Sequence, residues 1–276
     1  MKILVTLKPV PDPEQPFRFT GGRFDFSQVG VITNPFDEYA LETALRLTDV
    51  PDGDKTVRGE GEIVAVSIGE AAACVKVLKR ALGLGANRVY HITVPQEELD
   101  FSRVARILEG ICLGESPDLI LMGKQAVDSD SGIVPPYLAG LLGVPQVTAA
   151  TAITERPGKL LVERELEGGT EQKEVTLPAV VSVDLGIGAV DSVRTLAMDG
   201  TFPWAEGPRY PTIRGMLRTK NIPLESHDPE EFTKNHSRAL AEGKQELSPP
   251  RKPGVIVENI EELAKVLGPF VRMGGR

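Results

Sequence analysis

The chain has 276 residues, 31 basic and 39 acidic, for a net charge of −8 and a pI near 5.1. That length suffices for one large domain or two small ones with a real core, while the acidic balance offers no global field for nucleic acid. Two cysteines, Cys74 and Cys112, and three scattered histidines, His91, His227 and His236, exclude a disulfide framework, paired-Cys or H-E-x-x-H metal spacing and the usual hydrolase machinery.

Met1 is followed at once by the strand pattern Lys2-Ile3-Leu4-Val5-Thr6-Leu7-Lys8 rather than by a leader, so a cytoplasmic protein is expected. No apolar run reaches the roughly eighteen residues that insertion into a bilayer needs. Short apolar strands at Ile3 to Leu7, Glu62 to Ser67, Arg88 to Ile92 and Leu119 to Met122 alternate with helical stretches at Phe36 to Leu47, Glu70 to Leu82, Phe101 to Leu113 and Ile133 to Leu142. Such alternation predicts an α/β fold, a doubly wound, mostly parallel sheet of Rossmann-like type. In the first helix Ala40, Leu41, Ala44, Leu45 and Leu47 share one face, with Asn34 as the expected N-cap and Pro35 at the first helical position.

After Pro145 the pattern turns to alternation. Lys159 to Leu166, a Glu167-Gly168-Gly169-Thr170 turn and Glu171 to Leu177 predict an added β-hairpin. Ala179 to Asp184 is apolar enough to return to the buried sheet. From Gly186 the chain reads as loop, and from about Asn221 to Gly254 as an extended, Pro-, Lys- and Glu-rich arm. It ends in a helix with Asn259 as cap, Glu262 three residues on, Ile260, Leu263, Val266 and Leu267 on one face, and Gly268-Pro269 as the expected stop. The expected division is an α/β domain over residues 1–220 and a C-terminal arm and helix over 221–276.

Neither G-x-G-x-x-G after the first strand nor G-x-x-x-x-G-K-[ST] occurs. The best candidate site is the stretch Gly123, Lys124, Gln125, Ala126, Val127, Asp128, Ser129, Asp130, Ser131, Gly132, Ile133 and Val134, which runs from a central strand's carboxyl end into a helix. Open parallel sheets bind ligands there, and free N–H groups attract phosphate. Ser131 to Val134 would offer N–H groups, while Asp128 and Asp130 would order the loop through side-chain-to-backbone bonds; an ordinary Asx-turn into a helix explains the same residues about as well. Thr6, Asn34 to Asp37 and Ser67-Ile68-Gly69 end or begin elements at the same edge. Elsewhere, Arg209, Arg214, Arg218 and Lys220 cluster with Tyr210, Ile213, Met216 and Leu217, which fits a docking segment for an acidic partner, although from these residues alone a solvated helix whose cations complement its C-terminal dipole is the safer reading.

The strings KILVTLKPV, NPFDEYALETALRL, AVSIG, ALGLGANRVY, LILMGKQAVDSDS, LLGVPQVT, VERELEGGTE, LPAVVSVDL and PRYPTIRGM, in this order, resemble the β subunit of electron transfer flavoproteins. The resemblance runs from Met1 to about Pro223. It implies a heterodimer whose α subunit holds the redox-active FAD, with AMP in the β crevice or, in an electron-bifurcating form that oxidises NADH, a second FAD. It also implies carriage of electrons from flavin dehydrogenases, such as those acting on acyl-CoA, to a quinone-reducing acceptor, by a carrier subunit rather than an enzyme. Carried over by position, Thr6, Asn34, Pro35, Phe36, Asp37 and Ile68 fall on the adenine-nucleotide pocket, Gly123 to Val134 on the loop around adenosine and phosphate, and Ile213 on the apolar docking anchor.

Three departures stand out. Ser131-Gly132-Ile133-Val134-Pro135-Pro136 replaces the family's amide-bearing residues, Gly186 to Gly207 is an insertion of about twenty residues, and the lysines after the anchor are reduced to Arg218 and Lys220. Met198, Phe202 and Trp204 in the insertion would either cover the flavin or a partner, or simply pack on the surface.

Overall fold

The computed structural model describes residues 1–52, 55–198, 202–220, 222–234, 238–240, 243, 245–251, 253–254 and 256–271. In chain order the elements are β1 (Lys2–Thr6), β2 (Pro9–Pro11), β3 (Arg18–Thr20), β4 (Arg23–Asp25), β5 (Val31–Thr33), α1 (Pro35–Thr48), β6 (Asp49–Asp52), β7 (Lys55–Arg58), β8 (Glu62–Gly69) and α2 (Ala71–Leu84). There follow β9 (Arg88–Thr93), α3 (Phe101–Glu115), β10 (Leu119–Gly123), α4 (Val134–Leu142), β11 (Gln146–Arg156), β12 (Lys159–Leu166), β13 (Gly169–Thr176) and β14 (Ala179–Val183). Last come β15 (Val193–Arg194), α5 (Ile213–Thr219), β16 (Ser226–His227) and α6 (Ile260–Val271).

One sheet dominates, in the order β13-β12-β11-β14-β10-β1-β8-β9-β16, with β15 beside β11. The central pairs are parallel, with Ile3 opposite Leu119 and Ile63, while β11, β12 and β13 form an antiparallel wing. Alternate residues of β1 explain the doubly wound arrangement. Ile3 and Val5 join the core built with Ala40, Leu45 and Leu78 of α1 and α2, whereas Leu4 joins the opposite core with Ile107, Leu108 and Leu138 of α3 and α4. Strands covered on both faces must be apolar at every interior position, as Ile3-Leu4-Val5 and Leu119 to Met122 are. The expected α/β fold with a mostly parallel sheet is the one observed.

Several local expectations are corrected. The hairpin turn is Glu167-Gly168, with Gly168 at φ 95°, and Gly169 already pairs with Leu166. A two-residue loop matches strand twist better than the expected four-residue turn. The eleven-residue strand β11, a link between the parallel sheet and the hairpin, was not expected; a bulge with Ala149 at φ 57° breaks the alternation that would have revealed it. Helix α6 runs on through Pro269 instead of stopping at Gly268-Pro269. A proline in the last turn keeps a helical φ and forfeits only one N–H.

The Gly186 to Gly207 segment is not an open loop. Met198 and Trp204 are buried in the core of this chain, with Phe202 packed against Trp204 at 4.9 Å; residues 199–201 lie outside the described ones. Its organiser is Arg46 of α1, which is 1% exposed. The guanidinium donates to Glu42 Oε1 (3.1 Å), to the carbonyls of Ile187, Gly188, Ala189, Ala205 and Gly207, and to Ser192 Oγ. A planar five-donor group can gather that many loop carbonyls at once, whereas an ammonium cannot. Part of the expected extended arm is also structured: β16 adds to β9 in parallel, and Asp228 and Glu231 form a capping box around Pro229–Glu231.

The chain divides into two compact units. Met1–Arg18 with Phe26–Glu242 carries the large sheet, and Phe19–Asp25 with Gly243–Arg276 carries β4 and α6. Within the second, the Phe24 N–H donates to Gln245 Oε1 at 2.7 Å, and Asn259 Oδ1 caps α6 by accepting from the Glu262 N–H at 2.9 Å. Ile256, Ile260, Leu263, Val266 and Leu267 are exposed. No helix among the described residues is long and apolar enough to cross a membrane.

Candidate functional site

The chain passes from β1 through α1 to β8 on one side, and later enters β10 on the other side of β1. The reversal of strand order between β1 and β10 opens a crevice at their carboxyl ends, where doubly wound sheets bind ligands. Asp37, in the first turn of α1, closes its floor. Its Oδ2 accepts from the Lys8 N–H at 2.7 Å and its Oδ1 from the Gly123 N–H at 3.1 Å, so one carboxyl joins the ends of both strands. Burial raises the Asp37 pKa to about 7, against the opposing pull of these N–H donors, Asn34 and the Lys8 charge. Gly123 has no room for a side chain, since a Cβ would overlap Asp37 Oδ1 and sit 2.7 Å from Phe36 Cβ.

Asn34 takes the expected N-cap position before Pro35, but it is 1% exposed and its side chain makes no capping bond. Its amide reaches across the crevice instead. Nδ2 donates to the Gln125 carbonyl (2.9 Å) and Oδ1 accepts from the Val127 N–H (3.2 Å). Asp128 and Asp130 do not hold the loop through backbone bonds either. Asp128 accepts from Lys8 Nζ at 2.7 Å and Asp130 from Gln125 Nε2 at 2.9 Å, while the turn closes through the Ala126 carbonyl, which accepts from the Ser129 and Asp130 N–H groups. Asp130 (φ 50°) and Gly132 (φ 57°) then turn the chain left-handed toward α4.

No acceptor among the described residues meets the N–H groups of Ser131, Gly132, Ile133 or Val134, and Ile133 makes no side-chain cap. Pro135 and Pro136, next in α4, carry no N–H at all. At the far wall Lys124 Nζ lies 2.7 Å from Asp184 Oδ2 and 5.1 Å from the centre of the Phe36 ring. Thr6 and Ile68 stand half-buried at the ends of β1 and β8, and Pro35 begins α1. The anticipated crevice residues are therefore gathered at one sheet edge. Lys8 and Asp184 also line this edge and are absent from the expected set, although Asp184 directly follows β14 and Lys8 lies two residues past β1, the kind of position that singles out the rest.

The residues expected to form a docking segment divide. Arg209 is spent inside the chain: its N–H and Nε reach Glu42 Oε2 at 3.1 and 2.9 Å, and its terminal nitrogens reach Glu42 Oε1 (3.1 Å) and Asp49 Oδ2 (2.6 Å). Tyr210 and Ile213 are each 82% exposed, and Met216 and Leu217 are exposed beside them on α5. Through Asn34 and Asp37 at one end and Glu42, Arg46 and Asp49 farther along, α1 and its flanks connect the crevice to this segment.

Residues 23–200 match the model of the electron transfer flavoprotein domain. The chain is 34% identical over 277 residues to the human electron transfer flavoprotein subunit beta, covering 97% of this chain and 96% of that one. It is 33% identical to the mitochondrial electron transfer flavoprotein subunit beta of Oryza sativa subsp. indica (95% and 96% covered) and 31% identical to the electron transfer flavoprotein subunit beta of Dictyostelium discoideum (97% of each). Matched along nearly its whole length, the chain belongs to the electron transfer flavoprotein beta-subunit family.

Proposed function

We propose that this beta subunit binds AMP in the β1/β10 crevice while its alpha partner holds most of the FAD. The heterodimer then carries electrons in the cytoplasm from flavin dehydrogenases, acyl-CoA dehydrogenases among them, to a quinone-reducing oxidoreductase. FAD supplies the electron-accepting chemistry when bound; the residues of this chain bind, orient and dock. The reading rests above all on Asn34, whose buried amide is spent on holding the 123–134 loop. The loop so held keeps the N–H groups of Ser131 to Val134 free to meet a phosphate. Lys8 braces the same mouth by its ion pair with Asp128, and Pro135 and Pro136 limit the donor set to one phosphate's worth, which favours AMP over a dinucleotide.

In this reading the chain is a carrier subunit without a substrate of its own. Tyr210, Ile213, Met216 and Leu217 form the donor-docking surface, with Arg209 fixing its root. Residues 1–220 act as the nucleotide-binding part and 221–276 as the arm that contacts the alpha subunit. The apolar face of α6, with Ile260 83% exposed, suits burial against a partner. Co-purification with the alpha subunit and quantification of released nucleotides tests the crevice assignment. One FAD and one AMP per heterodimer is the expected result. Two FAD, no AMP and bleaching by NADH would replace it with the bifurcating reading, and FAD alone would remove nucleotide from the crevice. Ile213→Ala should slow reduction by the donor at unchanged FAD content.

A further inference from the structure

We propose that Gly83 and Gly215 are positioning residues for docking, which set the height at which α5 presents Ile213; the inference rests on the docking reading above. Gly83 lies in the last turn of α2 and Gly215 inside α5, and neither has a positive φ. Glycine inside a helix is unfavourable unless a close approach requires it. Here it does. A Cβ on Gly215 would overlap the Gly83 carbonyl oxygen and lie 3.3 Å from the carbonyl carbon, while a Cβ on Gly83 would meet Met216 Sδ at 3.3 Å and Pro211 Cβ at 3.6 Å. The two helices touch backbone to backbone.

Seven residues make too short a helix to persist alone, so α5 depends on its mount. The Thr212 hydroxyl caps it, accepting from the Gly215 N–H at 3.0 Å, and Lys79 Nζ donates to the Lys220 carbonyl just past its end at 2.9 Å. From α2, Arg80 lies 5.8 Å from the centre of the Tyr210 ring and pairs with Glu38 of α1 at 3.2 Å. Arg209 is pinned to Glu42 and Asp49. The apolar tip is thus carried on a rigid seat rather than on a mobile loop. The two glycines are also unequal: Gly215 faces fixed backbone, Gly83 a flexible methionine, so a methyl at Gly215 lifts α5 farther than one at Gly83.

The test uses the heterodimer with Gly215→Ala, Gly83→Ala, Lys79→Met and Ile213→Ala. One readout is native-state trypsin cleavage after Arg218, where the next residue, Thr219, is buried. The other is KM and kcat for reduction by a flavin-dependent acyl-CoA dehydrogenase. Gly215→Ala should raise both the cleavage rate and KM roughly tenfold, the factor that about 1.4 kcal/mol produces, with kcat and FAD content unchanged. Gly83→Ala and Lys79→Met should shift both in the same direction by less. Ile213→Ala should raise KM without altering cleavage. Wild-type cleavage and KM in Gly215→Ala, beside a raised KM in Ile213→Ala, would overturn the proposal. An unchanged KM in Ile213→Ala would overturn the docking reading instead, and cleavage alone would then decide the mount. Should Gly215→Ala not fold, wild-type cleavage in both Gly83→Ala and Lys79→Met overturns it.

Discussion

Replacing Asn34 by alanine removes two hydrogen bonds that hold the 123–134 loop across the crevice, at 2.9 Å to the Gln125 carbonyl and 3.2 Å to the Val127 N–H. Each neutral bond contributes about 1 kcal/mol net, and more where the deserted partner cannot reach water. The side chain is 1% exposed, and its loss leaves both loop groups facing an apolar methyl. The held conformation should therefore lose about 2 kcal/mol, which converts to roughly 30-fold weaker nucleotide retention. Because the deserted loop groups stay buried in the folded chain, the melting temperature of the nucleotide-free protein should also fall, by a few degrees. Asn34→Asp keeps an acceptor for Val127 but sets a carboxylate oxygen against the Gln125 carbonyl, and should be at least as harmful. The assay is AMP content after dialysis, together with hydrogen exchange in peptides spanning 123–134. Full AMP content and unchanged exchange would refute the assignment of Asn34 as the loop's tie.

Other expectations follow from the buried charges and close contacts. Because Asp37 titrates near 7 when folded and at 3.8 when unfolded, the folded state holds an extra proton between those values. Its contribution to stability is full below pH 3.8 and is lost as pH rises through 7, so urea unfolding from pH 4 to 8 should show a downward slope that Asp37→Asn flattens. Asp37→Ala should cost about 2 kcal/mol, because the Lys8 and Gly123 N–H groups lose their acceptor. Arg46→Met should destabilise the protein by about 3–5 kcal/mol in chemical unfolding, since Glu42 and five loop carbonyls lose one shared donor. Gly123→Ala should cost about 1–3 kcal/mol by overlap with Asp37 and Phe36, and should lower AMP content along with the melting temperature.

Local pattern is enough to specify the parallel half of the fold. Lys2 to Thr6, Glu62 to Gly69 and Leu119 to Gly123 are legible because strands buried on both faces admit only apolar residues, and α1 because Ala40, Leu41, Ala44 and Leu45 recur at helical spacing. Strand ends carrying Thr6, Ile68 and Gly123 are legible for the same reason, and the crevice follows from the reversal of strand order. Pairings that link distant residues have no local signature. Asn34 is a cap by its place in the chain, yet its amide bonds residues 91 and 93 positions away. Arg209 looks like a free surface cation by its neighbours, yet the buried carboxylates of Glu42 and Asp49, 167 and 160 positions away, hold it in a network. Gly186 to Gly207 reads as loop because its order comes from Arg46, a guanidinium on another element, and not from any periodicity of its own. Composition and periodicity determine which residues leave water; which polar groups then find one another is decided only when the tertiary structure brings them within 3 Å or so, because a hydrogen bond depends on distance in space and not in sequence.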